Sequence, residues 1–330
     1  MGRFSTPLIL VAGGGGFIGG HWIDHLRRRG AHIRAVDHKP LDQWHQRFDD
    51  VENQVLDLQH LAVCQEAVAE CGAVYNLAAD MGGMGFIENN RALCMLSVLI
   101  NTHLLMAARD AGARDYFYAS SACVYAAGKQ LDVHNPGLKE ADAYPAEPED
   151  GYGWEKLFSE RMCRHFREDF GLQTRVARFH NVYGPHGSFD GGREKAPAAI
   201  CRKVAAAKLF GPLEIVIWGD GEQTRSFTYI DDCVMGIDKI MASDVVDPIN
   251  LGSDELVTIN ELVSMVESIA GVTLKRRYEL DAPKGVRGRC SDNAMIQERL
   301  GWAPSIRLRE GLAQTYAWIE NEMRAGRASL

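Results

Sequence analysis

Tyr152 and Lys156 stand four residues apart in Tyr152-Gly153-Trp154-Glu155-Lys156, a spacing that places a phenol and an ammonium on one face of a helix. An ammonium beside a phenol lowers the phenol's pKa, so the pair can take a proton from a substrate alcohol while hydride leaves the same carbon. Ser120-Ser121 close an apolar run that reads as a strand, and the Ser121 hydroxyl can bond the reacting oxygen. A second set of residues suits phosphate. The turn Gly13-Gly14-Gly15-Gly16-Phe17-Ile18-Gly19 carries a Gly-x-x-Gly-x-x-Gly spacing at a strand-to-helix junction. There Gly13, Gly16 and Gly19 let the backbone approach a pyrophosphate, and Phe17 and Ile18 open a helix whose first amides face it. Asp37 ends the next apolar run about 20 residues on, where a carboxylate accepts from the ribose 2′-OH and repels a 2′-phosphate. The expected cofactor is therefore NAD rather than NADP, with Lys39 softening the preference. Asp57, after Val55-Leu56, could reach an adenine amino group or cap a helix near Leu58. Leu77, Ala78 and Ala79 close another apolar run with little bulk, so a cofactor could lie against them.

Such groups must be held by a scaffold, and the chain up to about Phe179 alternates short β-rich apolar runs with helical patterns. Strands are expected at Leu8–Ala12, Ile33–Val36, Val74–Leu77, Tyr116–Ala119 and Arg175–Phe179, with helices starting near Phe17, Leu61, Asn89 and Tyr152. This is the pattern of an α/β Rossmann fold, a doubly wound parallel sheet whose ligands lie beyond the carboxyl ends of the strands. The alternation weakens after Phe179. A helix near Pro197–Lys208 and a strand at Glu214–Trp218 predict a smaller C-terminal α/β substrate lobe. Asp231–Met241 then Pro248–Leu251 read as helix then strand returning to the first domain, before helices at Ile259–Ala270 and Leu308–Glu322. The lobes are thus expected to interleave: residues 1–183 with a return segment at about 228–252 form one, and 184–227 with 253–330 the other.

The 330 residues carry a net charge of −8, without the basic footprint of a nucleic-acid binder. Eight cysteines without CxxC spacing read as reduced thiols, neither a disulfide framework nor a metal site, and point to the cytoplasm. No membrane span is expected, because Ser97, Asn101, Thr102 and His103 interrupt the most apolar helical stretch, Leu93 to Ala108. Met1–Thr6 matches a loose myristoylation pattern, but a strand follows at once, and neither an anchor nor a signal peptide is expected.

Further segments carry a resemblance: Ala79-Asp80-Met81-Gly82-Gly83-Met84-Gly85-Phe86, Ala119 to Tyr125, Arg178 to Pro185, Gly191 to Pro197, Arg225 to Asp232, and Gly285 to Asn293. With the glycine turn and the Tyr152/Lys156 pair, the chain resembles the extended short-chain dehydrogenase/reductases, the nucleotide-sugar epimerases and dehydratases, over nearly its whole length. The resemblance implies bound NAD, a nucleotide-sugar substrate and a homodimer built on the helices near Asn89–Ala111 and Tyr152–Phe170, with Leu93, Leu96 and Ile100 at the contact. It is nearest to members acting on GDP-D-mannose at C3 and C5, giving GDP-L-galactose, with GDP-L-gulose as the C5-only product. A C4 ketone acidifies the hydrogens on both neighbouring carbons, and the resemblance assigns the base and acid beside them to Cys123 and Lys195. Where this chain has Cys123, 4-epimerases typically carry threonine, and where it has Ala122-Cys123, 4,6-dehydratases carry an Asp-Glu pair. Substrate contacts implied are Gly82, Gly83, Met84, Ser120, Ser121, Ala122, Cys123, Asn181, Glu194, Lys195, Ala196, Lys203, Gln223, Thr224, Arg225, Arg287 and Arg289. The arginines suit a diphosphate, although one of Arg287 and Arg289 could instead serve an exposed salt bridge. Departures from plant members at Ala126-Ala127-Gly128, Trp154 and around Phe210-Gly211-Pro212 remove no catalytic group. Two alternatives stay open: another NAD-dependent nucleotide-sugar epimerase or 4-reductase, and a catalytically silent Rossmann nucleotide sensor.

Overall fold

A computed structural model describes residues 7–282 and 285–327; Met1–Thr6 and its loose myristoylation pattern lie outside them. In chain order the elements are β1 (Leu8–Ala12), α1 (Phe17–Arg28), β2 (Ile33–Asp37), β3 (Glu52–Val55), α2 (Leu61–Val68), β4 (Cys71–Asn76), α3 (Met84–Asn89), α4 (Arg91–Met95), α5 (Ser97–Asp110), β5 (Asp115–Ser121), α6 (Tyr152–Phe170), β6 (Gln173–Phe179) and β7 (Val182–Tyr183). They continue with α7 (Ala196–Phe210), β8 (Glu214–Trp218), β9 (Thr224–Ser226), β10 (Thr228–Tyr229), α8 (Ile230–Met241), β11 (Ile249–Leu251), β12 (Leu256–Thr258), α9 (Ile259–Ala270), β13 (Lys275–Glu279), β14 (Gly288–Arg289), α10 (Ala294–Leu300) and α11 (Leu308–Arg324).

Seven strands form one parallel sheet in the order β11-β6-β5-β4-β1-β2-β3. Its inner strands are apolar on both faces, as helices cover both, and Leu10, Val11, Val74, Tyr116 and Phe117 are buried. The expected strands and helices all form. The edge strand β3 escaped sequence reading because Glu52-Asn53-Gln54-Val55 is polar and half exposed, so no apolar run marks it. The single helix expected from near Asn89 is divided at Leu96 into α4 and the 14-residue α5, with the short α3 just before it. The strand β11 returns to pair with β6, carrying α8 back against α1.

The second lobe holds two small sheets, β12-β9-β14 and β13-β8, with α7, α9 and α11 packed together. Its best-capped helix is α9, where Thr258 accepts from Glu261 N–H and the Glu261 carboxylate accepts from Thr258 N–H. By length and composition alone, Arg91–Asp110 is long and apolar enough to cross a membrane. In the fold, Leu104, Leu105 and Ala108 of this stretch are buried in the core, and Asn101 accepts hydrogen bonds from Asn76 and Tyr116.

Candidate active site

The carboxyl ends of β1, β2, β4 and β5 meet at one edge of the sheet. At β1 the chain turns through Gly13, with φ +80°, into α1. A Cβ on Gly13 would lie 2.8 Å from Ala78 N, and one on Gly19 would lie 2.1 Å from Gly13 O, so the turn closes only without side chains. Gly16 caps α1 without a side-chain hydrogen bond, leaving the first amides of the helix for a ligand. Phe17 packs against Gly184 and Gly187, fastening the start of α1 to the second lobe, and Ile18 is half buried beside it. The buried Asp37 carboxylate accepts from Lys39 N–H at 3.1 Å at the end of β2. Leu77, Ala78 and Ala79 line the opposite wall, half buried. This narrow cradle, with one buried carboxylate and uncapped helix amides, fits NAD. Asp57 follows the end of β3, which pairs with the Asp37 end of β2; it is exposed and accepts from Gln59 N–H at 3.0 Å, and because the N-cap of α2 is His60 it does not cap that helix.

Beyond this cradle, β5 ends in Ser120-Ser121, whose side chains point to opposite faces. Ser121 accepts from Cys123 N–H at 3.2 Å, which tightens the turn Ala122–Val124 and draws the thiol back toward the strand end. Tyr152 opens α6 from the other side, and Tyr152, Cys123, Cys94 and Ile87 share one small apolar cluster. The close approach depends on Gly153, where a Cβ would stand 2.4 Å from Cys123 O. Lys156, one turn on, is buried with its ammonium 5.4 Å from the Tyr152 ring centroid and 4.7 Å from that of Tyr118. It also faces Glu155, at 3.6 Å.

The pair is therefore assembled as expected, but its electrostatics differ from expectation. Burial, reinforced by Cys123 and Glu155, pushes the Tyr152 phenol well above its usual range, opposed by the hydrogen bond to Ser121. Lys156 lies over the ring face and answers to Glu155, so the simple ammonium–phenol lowering does not dominate. At the start of α7, burial holds the Lys195 ammonium below the ordinary lysine range; the nearby Cys123 opposes this and Arg289 adds to it. Arg289 is buried, with one guanidinium nitrogen 3.4 Å from the Cys123 sulfur. Arg225 lies beside it, its nitrogens donating to the carbonyls of Thr224 and Val286, and burial next to Arg289 lowers its pKa. Two guanidiniums side by side, Arg289 buried and Arg225 half buried, favour an anion between them.

Several expected substrate contacts are otherwise engaged. The Ser120 hydroxyl donates to Glu160 at 2.5 Å, and Glu160 takes both forks of Arg178, at 2.9 and 2.7 Å. It faces away from Ser121 and braces the sheet. Gly82 and Gly83 abut the 193–194 backbone, where a Cβ on Gly83 would lie 2.6 Å from Glu194 O, so their lack of side chain serves loop packing. Met84 touches Gly285. The Glu194 carboxylate accepts from Gly192 N–H, Ala122 packs into an apolar cluster, and Asn181, at φ +43°, donates to Ser226 O. Arg287 pairs with Asp220 at 3.0 Å and is 40% exposed, which leaves Arg289 as the inward member of the two. Lys203, after Ala196 on α7, donates to Val216 O and lies near the Trp218 ring. Gln223 donates to Trp218 O and Thr224 to Val133 O; the buried Gln223 Oε1 has no hydrogen-bond partner among the described residues. Sequence reasoning missed Gly153, Glu160 and Gln130. Only Gly153 carried a signal, as the residue inside the Tyr-Lys motif without a side chain.

The NAD dependent epimerase/dehydratase family matches residues 9–252. Over 321 residues the chain is 46% identical to a GDP-mannose 3,5-epimerase of Arabidopsis thaliana, covering 97% of this chain and 84% of the relative. Over 316 residues it is also 46% identical to GDP-mannose 3,5-epimerase 1 of Oryza sativa subsp. indica, covering 96% and 82%. Among solved structures, the UDP-glucose 4-epimerase of Thermotoga maritima superposes with a TM-score of 0.86 at 24% identity, covering 96% of this chain and 99% of its own. MoeE5, solved with UDP-glucose and NAD, gives a TM-score of 0.79 at 29% identity over 97% and 99% of the two chains.

Proposed function

The chain belongs to the NAD dependent epimerase/dehydratase family, and we propose that within it the chain epimerises GDP-D-mannose at C3 and C5 to GDP-L-galactose, with GDP-L-gulose as the C5-only product. The observation that carries this reading is the second acid–base pair, Cys123 and Lys195 under Arg289, set beside the Tyr152/Ser121 pair. Residues 1–183 with 228–252 hold the cofactor, and 184–227 with 253–330 the sugar nucleotide.

Tyr152 receives the proton of the C4 hydroxyl while Ser121 holds its oxygen, and Lys156 orients the cofactor ribose. NAD, when bound, supplies a reversible two-electron acceptor for C4 and a positive charge that offsets the high proton affinity of a buried phenol. With C4 a ketone, the hydrogens at C3 and C5 become acidic. Cys123, as thiolate, takes the proton from one ring face, and Lys195, whose ammonium is made more acidic by burial, gives a proton to the other. Tyr152 returns its proton when C4 is reduced again, so turnover consumes no cofactor. Arg225 and Arg289 face the diphosphate.

The molecule acts in the cytoplasm as a homodimer. In support, all eight cysteines are free and buried. Met95, Leu96, Trp154 and Phe158, each 45% exposed or more, lie on packed helices α4 and α6 and next to them. Of the positions expected at that contact, Ile100 lies in the core instead, because α5 turns it toward the sheet.

Incubation with GDP-D-mannose in deuterated water, followed by NMR, is expected to show label at C3 and C5. Absence of label at both carbons, as for a pure 4-epimerase or a silent sensor, refutes the reading. Thermal shifts against GDP-, UDP- and dTDP-sugars test the nucleotide, since selective binding stabilises the folded state.

A further inference from the structure

We propose that Gln130 is a positioning residue for the epimerisation: its carboxamide aims the Arg289 guanidinium at the sulfur of Cys123. The inference rests on the reading of Cys123 as the proton-abstracting group and assigns how the thiolate is prepared.

Arginine carries a rigid planar fork on a long flexible stem, so holding one of its edges decides where the others point. Gln130 is buried at 2% exposure, and its Oε1 accepts from Arg289 Nε at 2.6 Å. The orientation of the carboxamide is settled by its other end. Nε2 donates to the carbonyls of Tyr125 and Ala126 at 3.1 and 3.4 Å, so the oxygen must face the guanidinium. With Nε held there, an outer nitrogen of Arg289 lies 3.4 Å from Cys123 Sγ.

The backbone is fixed in the same way. Arg287 N–H donates to Gln130 O at 3.1 Å, and Asn135 Nδ2 ties Lys129 O to Gly288 O. A Cβ on Gly288 would meet Asp132 O at 1.9 Å, so β14 is seated directly on the loop that carries Gln130. The segment from Cys123 to Gln130 therefore holds the thiol at one end and the clamp on its cationic partner at the other. A guanidinium within hydrogen-bonding distance can pair with the sulfur as negative charge forms on it. Arg289 also stands beside Arg225, Lys195 and Glu149, and the thiol itself faces Tyr152 and Cys94. Without the clamp, repulsion among the three cations and the flexible arginine stem would turn the fork away from the sulfur.

The test uses the NAD-loaded enzyme and the Gln130→Met variant, which removes the acceptor at nearly constant volume. Iodoacetamide alkylation of the Cys123 peptide, followed by mass spectrometry across pH without sugar, reads the thiolate directly. For Gln130→Met the pH midpoint is expected to rise by about one unit, roughly tenfold less thiolate at neutral pH. Deuterium wash-in should slow about tenfold at neutral pH and recover in more alkaline solution, while KM changes less than about threefold. An unshifted midpoint in Gln130→Met, or a slowed wash-in that does not recover in alkaline solution, overturns the assignment. If the midpoint shifts as stated but wild-type enzyme shows no wash-in from GDP-D-mannose, the sugar reading fails and the clamp stands.

Discussion

Replacing Gly153 by alanine should separate stability from catalysis. The added Cβ would be placed 2.4 Å from Cys123 O, about 1 Å inside ordinary contact. That oxygen cannot step aside, because it accepts from Glu149 N–H at 3.0 Å, while the Glu149 carboxylate accepts from Gly153 N–H at 3.0 Å. The first turn of α6 must therefore retreat, carrying the Tyr152 phenol away from Ser121 and from the thiol. Alanine is the better helix former by up to about 1 kcal/mol, which offsets part of the steric cost and keeps the fold close to its original stability. A misplacement near 1 Å between reacting groups costs about 100-fold in rate. The expected result for Gly153→Ala is thus bound NAD, a thermal midpoint within a few degrees of the parent, and epimerisation slowed about 100-fold when followed by NMR. Turnover within about threefold of the parent would refute the argument that this contact sets the site.

Glu160→Gln leaves the Arg178 charge buried without its carboxylate, since both partners are only 3% exposed, and should cost about 3–5 kcal/mol in urea unfolding; a loss below about 1 kcal/mol would contradict the pairing. His180 is fully buried and its pKa is pushed down to about 3, chiefly by burial and further by Arg289 and Arg178, against the opposing Asn250 bond. Because the fold keeps it neutral, the unfolded chain binds more protons below about pH 6.5, so stability falls from there toward pH 3; by pH 5 this group alone removes about 2 kcal/mol. Urea unfolding at pH 7 and 5 should show that slope reduced in His180→Gln, and an unchanged slope would exclude His180 as its source. Phe158→Arg places a charge on the exposed apolar face of α6 and should convert the proposed homodimer to monomer in sedimentation at micromolar concentration; a wild-type protein already monomeric there would defeat that proposal.

The local pattern of the chain already determined the scaffold and the redox half of the site. The glycine turn, Asp37 at a strand end and Tyr152 four residues before Lys156 each depend on near neighbours, and periodicity and spacing report near neighbours well. Cys123 and Lys195 entered only by resemblance, because 72 residues of chain separate them and nothing in their spacing says that they meet. Folding decided what the side chains do. Of two adjacent serines, Ser121 faces the site and Ser120 an ion pair, since strand residues alternate faces. Of two arginines two apart, Arg287 is spent on Asp220 and Arg289 reaches the thiol. Gln130 carried no sequence signal, because its role arises only when β14, 159 residues away in the chain, is laid against it. The high phenol pKa of Tyr152 also comes from folding, because desolvation depends on what encloses a group and not on which residue stands four positions away.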